Sequence, residues 1–164
     1  MNRLLLCITL LLAACAADAQ DAKTLFMKYC NMKGVEAAYI SQEMFESIGR
    51  LPKIEIMDKD VDLSSVIREL KHLYMLESDR PRISGKIRDD VYALVKQKGY
   101  KLMMRDRDSD ETNEIYALYS GDRITSFLFI STEDLDEVEF ICLEGDILKE
   151  DLRLIMQHAG KNNQ

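Results

Sequence analysis

The residues best able to do chemistry lie in one polar segment, residues 105–114, where acidic side chains alternate along the chain. Asp106, Asp108 and Asp110 match the first, third and fifth positions of a calcium-binding loop, whose alternate carboxylates converge on the ion. The remaining positions do not match, because the glycine needed for the sharp turn is replaced by Glu111 and the closing bidentate glutamate is missing. The three aspartates are candidate metal ligands, but the favoured interpretation is a solvated hairpin tip between two strands.

Two histidines, His72 and His158, are the other candidates for a base or a metal ligand. Each lies beside apolar residues, which favours a packed side chain, and the chain lacks the Cys and His spacings of a zinc site. It also contains no G-x-S-x-G elbow and no glycine-rich phosphate loop. We therefore assign no catalytic residue and expect no cofactor.

Tyrosine and carboxylate side chains could together line a pocket that binds a small ligand. The tyrosines are Tyr92, Tyr100, Tyr116 and Tyr119. A small-ligand-binding protein or enzyme with a pocket lined by these groups is the alternative interpretation. The favoured one is a non-enzymatic binding module that recognises a protein through an exposed apolar patch or a sheet edge.

Nine methionines, among them Met44, Met103 and Met104, could form an adaptable binding surface, because the thioether side chain is flexible and polarizable. Their positions within predicted helices and strands favour core packing for most of them. The net charge of −7 argues against nucleic acid as a partner, since phosphate binding needs a basic face.

The first 20 residues have the pattern of a secretory signal peptide, with Arg3 before an apolar run and small residues after it. The apolar run is shorter than the roughly 20 residues that a membrane-spanning helix needs. Cleavage after Ala19 would leave Gln20 first, so that residues 1–19 are the signal peptide and residues 20–164 the mature domain. The alternative is a lipoprotein signal cleaved before Cys15, which would be acylated and attach the protein to a membrane. Only in that case is a membrane expected as a partner.

Two cysteines, Cys30 and Cys142, remain after the predicted cleavage. An exported chain meets an oxidising compartment, so a disulfide between them is chemically allowed. Two buried thiols are the favoured alternative, because cysteine is among the most buried residue types.

Apolar spacing predicts short helices and strands without a linker between them. Helices are predicted over 22–33, 43–48, from Leu63 after the cap Asp62, over 86–98 and over 148–159; strands are predicted over 35–40, 72–77, 100–105, 114–119, 124–131 and 138–144. Residues 124–130 have apolar groups on both faces, which predicts a central strand covered twice. The pattern indicates a single α+β domain, a mainly antiparallel or mixed sheet with amphipathic helices packed on it.

Several short motifs along the mature chain resemble one protein family. They are Leu25-Phe26-Met27-Lys28-Tyr29, Lys33-Gly34-Val35-Glu36, Tyr39-Ile40-Ser41, Met44-Phe45, Leu70 to Leu76, Lys98-Gly99-Tyr100-Lys101-Leu102-Met103, Leu143-Glu144-Gly145-Asp146-Ile147 and Glu150-Asp151-Leu152. In this order they resemble the DUF4252 family of exported bacterial proteins, which is widespread in Bacteroidetes. The resemblance implies a secreted or envelope protein of a Gram-negative bacterium, with a protein partner in the envelope expected for a binding module. It supplies no catalytic residues, because the function of that family is unknown.

Overall fold

The computed structural model describes residues 21–48, 54–56, 59–61, 67–134 and 136–150. The predicted leader, with both predicted cleavage sites and Cys15, lies outside these residues, as do the predicted cap Asp62 and His158. The C-terminal helix predicted over 148–159 lies outside them beyond residue 150. The predictions made for those residues stay predictions.

The described residues contain three helices and eight strands. The helices are α1 (Ala22–Tyr29), α2 (Gln42–Ile48) and α3 (Pro81–Lys98). The strands are β1 (Glu36–Ser41), β2 (Ile54–Ile56), β3 (Lys59–Val61), β4 (Leu70–Ser78), β5 (Lys101–Arg107), β6 (Glu111–Ser120), β7 (Arg123–Glu133) and β8 (Glu137–Leu148).

Six of the strands form one antiparallel sheet in the order β1-β4-β8-β7-β6-β5, and β2 pairs with β3 separately. The predicted α+β single domain is confirmed. The central position predicted for residues 124–130 is also confirmed, because β7 pairs with β6 on one side and β8 on the other. β1 and β5 are the two edge strands of this sheet.

Apolar side chains are buried on both faces of the sheet. On the face that carries α1 and α3, the core consists of Ala22, Leu25, Phe26, Tyr29, Tyr74, Leu76, Ile87, Val91, Leu94, Tyr116, Leu128, Ile130, Val138, Phe140 and Cys142. On the opposite face it consists of Phe45, Ile67, Leu70, Leu73, Ile115, Ala117, Ile124, Phe129, Ile141, Leu143 and Ile147. Full burial of one such large apolar side chain is worth about 1.5–3 kcal/mol, so these two cores supply the main stabilisation of the sheet.

The helices follow their predicted faces but differ in length. α1 buries the predicted stripe and begins at the cap Asp21, whose carboxylate accepts a hydrogen bond of 2.7 Å from the Thr24 amide. α3 begins at Pro81, earlier than predicted, because a proline suits the first turn of a helix, where its missing N–H is not needed. It ends as predicted before Gly99, whose φ of 75° is the left-handed conformation that closes a helix.

Candidate functional site

The outer strand β5 is the most exposed element of the sheet. All seven of its residues are exposed, although β6 pairs with it along one side. Leu102, Met103 and Met104 are 47%, 48% and 37% exposed, which is unusual for large apolar residues within a strand. A register shift between Leu102 and Met104 marks a β-bulge there. The bulge accommodates an extra residue on β5, so that three consecutive apolar side chains lie at this edge.

The charge of β5 is opposite in sign to that of the whole chain. Lys101, Arg105 and Arg107 are basic and Asp106 is the one acidic residue, so the strand carries a formal charge of +2 (three minus one) in a chain of −7. Arg105 and Arg107 pair with Glu114 and Thr112 of β6.

A buried carboxylate fastens β5 to the rest of the domain. Glu114 of β6 is 2% exposed, and its Oε1 accepts hydrogen bonds from the Arg105 guanidinium, with Nε at 2.5 Å. Its Oε2 accepts hydrogen bonds from the hydroxyls of Tyr92 on α3, at 2.7 Å, and of Tyr116, at 3.1 Å. Burial, together with these bonds to a carboxylate, raises the pKa of both tyrosines. The hydroxyls therefore stay protonated, and Glu114 joins β5, β6 and α3 through one network.

The other edge of the sheet carries an aromatic cluster instead. Phe26, Tyr39, His72 and Tyr74 lie beside one another, with ring centroids 5.3 Å apart for the two tyrosines. The Tyr39 hydroxyl and His72 Nδ1 are 3.0 Å apart, within hydrogen-bond distance. His72 is thus half-buried between neighbours rather than isolated, which agrees with a packed histidine.

Among the methionines that the structure describes, five are exposed, so core packing is the wrong interpretation for them. They are Met27, Met32, Met44, Met103 and Met104. Met27 belongs to α1, Met32 precedes β1, and Met44 belongs to α2. Only Met103 and Met104 lie within an edge strand of the main sheet.

A cavity of about 220 Å³ lies between α1, α3 and the sheet. Its lining residues are Asp21, Ala22, Leu94, Lys98, Tyr100, Leu118, Thr125, Ser126 and Glu144. The Tyr100 hydroxyl donates to Ser126 Oγ at 2.7 Å, and Ser126 Oγ lies 3.2 Å from the Cys142 sulfur. Partial burial is the main cause of a raised pKa at Glu144.

The four tyrosines named from the sequence do not share one pocket. Tyr92 and Tyr116 bind Glu114, Tyr100 lines the cavity, and the Tyr119 hydroxyl lies 2.9 Å from the Met103 sulfur. The sheet register separates these side chains, since residues of adjacent strands share a face only at alternate positions. Of the four tyrosines, Tyr92 and Tyr116 meet at Glu114, and Tyr100 alone lines the cavity.

The aspartates at the hairpin tip are not gathered around one point. Asp106 pairs with Asn113 within β5 and β6, and all three candidate aspartates are exposed. The Asp108 carboxylate accepts a hydrogen bond from the Ser109 amide. Asp110 follows in the turn before β6. In the described residues, no group of three or more His, Cys, Asp or Glu side chains is arranged to hold a metal ion.

Cys30 and Cys142 are both free cysteines in this structure, and the disulfide between them stays a prediction. Cys30 follows the last residue of α1, and its sulfur lies 3.9 Å from the Met27 carbonyl. Cys142 lies within β8 against Ser126, and burial raises its pKa to about 12. Each sulfur contacts a neighbour other than the second cysteine, and the favoured interpretation of buried thiols fits Cys142 but not the half-buried Cys30.

Sequence reasoning missed Glu114 and Glu144 as individual site residues. Both are glutamates within largely apolar strand segments, next to Ile115 and Leu143. This position is the sequence feature that could have indicated a buried carboxylate. A carboxylate at a core-facing strand position is rarely buried without hydrogen-bond donors. The sequence could not identify the donors, because Tyr92 and Arg105 come from different elements.

No helix among the described residues has the length and apolar character needed to cross a membrane.

The chain belongs to the family described as a domain of unknown function, DUF4252, whose model matches residues 27–155. The resemblance inferred from the short motifs is therefore confirmed. No curated protein and no solved structure matches the chain.

Proposed function

We propose that this protein is an exported cell-envelope protein that binds an extended segment of a partner protein along the outer edge of β5. The single observation that carries the binding proposal is that all seven residues of this edge strand are exposed, among them three consecutive large apolar side chains. Export is supported by the leader pattern of residues 1–19, and a lipid-modified Cys15 would hold the same module on a membrane.

An edge strand offers a partner both backbone and side-chain contacts. The outer side of β5 presents N–H and C=O groups that no other strand among the described residues pairs with, and an extended peptide would satisfy them by adding a strand. The alternation of side chains then sets specificity, because neighbouring residues of the added strand contact opposite faces of the sheet. Met103 and Met104 suit this role, since methionine side chains adapt to differently shaped partners.

The charges of β5 define the partner as an acidic extended segment. Lys101 and Arg107 form no ion pair within the described residues, while Arg105 is held by Glu114. Arg105 and Arg107 are two positions apart and pair with residues two positions apart on β6, so both lie on the same face of the sheet. A partner strand with acidic residues at alternate positions would place its carboxylates beside these guanidiniums.

In the register centred on Met104, the same charges disfavour a second copy of β5 as the partner. An antiparallel pair centred on Met104 would put Lys101 of one copy opposite Arg107 of the other, at both ends. Like charges directly opposite each other on neighbouring strands are destabilising. An acidic segment of a different protein satisfies the edge without this repulsion.

Peptide binding tests the proposal. The probes are two fluorescent peptides in which Val and Thr alternate with either Glu or Lys, and fluorescence anisotropy measures their affinity for the purified full chain. We expect the Glu peptide to bind and the Lys peptide to bind about tenfold more weakly or not at all, as charge complementarity requires. The double variant Lys101→Glu, Arg107→Glu should reverse this preference.

A matched control keeps the change in net charge but moves it away from β5. Arg82 and Lys86 are exposed residues of α3, so Arg82→Glu, Lys86→Glu alters the net charge by the same amount. This control should retain the preference for the Glu peptide. Equal loss of binding in the two double variants would mean that net charge alone attracts the peptide, and the β5 proposal would be wrong.

Export is tested by the intact mass of the protein from its own host, measured on soluble and membrane fractions. A chain that begins at Gln20 in the soluble fraction, or at a lipid-modified Cys15 in the membrane fraction, supports the envelope proposal. A chain that retains residues 1–19 in the cytoplasm would contradict it, whatever the peptides show.

A further inference from the structure

We propose that the cavity between α1 and α3 binds a small organic cation, a primary amine with a short apolar body, with Glu144 as the group that receives the ammonium. This inference is independent of the β5 edge. It is carried by the shape of the cavity, by the hydrogen bonds already formed around it, and by the balance of charges in its lining.

The size and walls of the cavity suit a small molecule with an apolar part. Its volume of about 220 Å³ is several times the roughly 30 Å³ that one water occupies in the liquid, and it lies below the range of drug-sized pockets. Ala22 and Leu94, each 1% exposed, and Leu118 supply apolar wall. A ligand of a few carbon atoms would pack against this wall.

Two hydroxyl groups of the lining, those of Tyr100 and Thr125, already donate their protons within the protein. Tyr100 donates to Ser126 Oγ at 2.7 Å, and Thr125 donates to the Leu118 carbonyl at 3.3 Å. Ser126 is in turn within hydrogen-bond distance of the Cys142 sulfur. The polar groups left for a ligand are therefore mainly acceptors, above all the carboxylate oxygens.

The charges of the lining favour a cation. Two carboxylates, Asp21 and Glu144, and one ammonium, Lys98, line the cavity. Asp21 accepts a hydrogen bond from the Thr24 amide and lies in the field of Lys98, which together lower its pKa. Glu144 has no comparable partner, because its oxygens accept no hydrogen bond and form no ion pair with any described residue.

The groups around Glu144 leave its negative charge without a bonded counter-charge among the described residues. Partial burial raises its pKa first of all, and the charge of Asp21 adds to this, while His72 and Lys71 of β4 act in the opposite direction. A ligand ammonium would supply the missing counter-charge and donate charge-assisted hydrogen bonds to the carboxylate. An anion would meet two carboxylates, and a neutral alcohol would lack the charge.

The test uses three probes of one size, n-butylammonium, 1-butanol and butyrate. Their binding to the full chain is measured by NMR at neutral pH, through the amide signals of residues that line the cavity. We expect butylammonium to shift these signals saturably and the other two to bind about tenfold more weakly or not at all. Butylammonium binding should weaken as the pH falls through the raised pKa of Glu144.

Two variants assign the effect to one carboxylate. Glu144→Gln keeps the shape of the side chain and should weaken butylammonium about tenfold, since the charge-assisted bond is lost. Glu77→Gln removes the same charge from an exposed position of β4 and should leave the affinity unchanged. Equal binding of 1-butanol, unchanged affinity in Glu144→Gln, or no saturable shift with butylammonium would each overturn the proposal.

Discussion

Removal of the two tyrosine hydroxyls that bind Glu114 tests the network that fastens β5. Tyr92→Phe and Tyr116→Phe each delete one donor to the same oxygen, Glu114 Oε2, at 2.7 Å and 3.1 Å. Each change keeps the aromatic ring, so packing is preserved. The measured loss therefore reports on the hydrogen bond to the carboxylate.

The expected losses of unfolding free energy differ between the single and double variants because the two hydroxyls donate to one acceptor, Glu114 Oε2. A hydrogen bond to a charged group contributes about 1.5–3 kcal/mol, and leaving a buried charged acceptor without donors costs more than the bond itself. After either single change the other hydroxyl still binds Oε2, so each single variant should lose about 1–1.5 kcal/mol of unfolding free energy. The double variant leaves Oε2 unpaired in a residue that is 2% exposed, and it should lose about 1 kcal/mol more than the sum.

The assay is urea unfolding of the wild type, both single variants and the double variant at neutral pH, with the slope of the transition checked for constancy. The four free energies form a double-mutant cycle. Additive losses, with a coupling within about 0.3 kcal/mol of zero, would refute the shared-acceptor reasoning. A stabilised single variant would refute it as well.

Three further predictions concern other parts of the domain. Gly145→Ala should lower the free energy of unfolding by about 1–3 kcal/mol, because its Cβ would lie 2.5 Å from the Glu69 carbonyl oxygen. Gly85→Ala, within α3, should raise it by about 0.5–1 kcal/mol, because the added Cβ would make only an ordinary contact of 3.7 Å with the Arg88 side chain; thermal unfolding measures both. In native protein at pH 8, iodoacetamide should modify Cys30 but not Cys142, because burial raises the pKa of Cys142 to about 12. Mass spectrometry that located the modification at Cys142, or found Cys30 unmodified, would contradict this. Burial raises the pKa of Glu144 above its ordinary value of 4.5, so the ionised form is disfavoured in the folded state. The unfolding free energy of Glu144→Gln should therefore increase relative to that of the wild type as the pH rises from 4.5 through the raised pKa. Urea unfolding that gave the same difference between variant and wild type at acidic and at neutral pH would contradict this.

The sequence predicts those helices and strands whose local residue pattern is compatible with only one type of structure. Residues 124–130 have apolar side chains at both odd and even positions, which is compatible with a strand covered on both faces, and β7 is such a strand. Gly99 ends α3 because few other residues adopt a positive φ at low cost. The apolar stripe of α1 likewise identifies its buried face.

The candidate sites depend on strand order, which local patterns do not specify. Met103 and Met104 are typical core residues by type, and only the position of β5 at the end of the sheet exposes them. Glu114 is buried because a tyrosine from α3 and an arginine from β5 meet it, and no spacing along the chain indicates this. The edge and the cavity therefore required the three-dimensional arrangement.

The most direct test of the β5 proposal is a residue-by-residue map of where an acidic extended peptide binds. Amide signals and amide hydrogen exchange of the full chain are recorded by NMR with and without the Glu peptide. The proposal predicts shifted signals and slower exchange within β5, residues 101–107, with β1, residues 36–41, unchanged. Slower exchange at β1, or shifts spread over the surface without protection of β5, would contradict it.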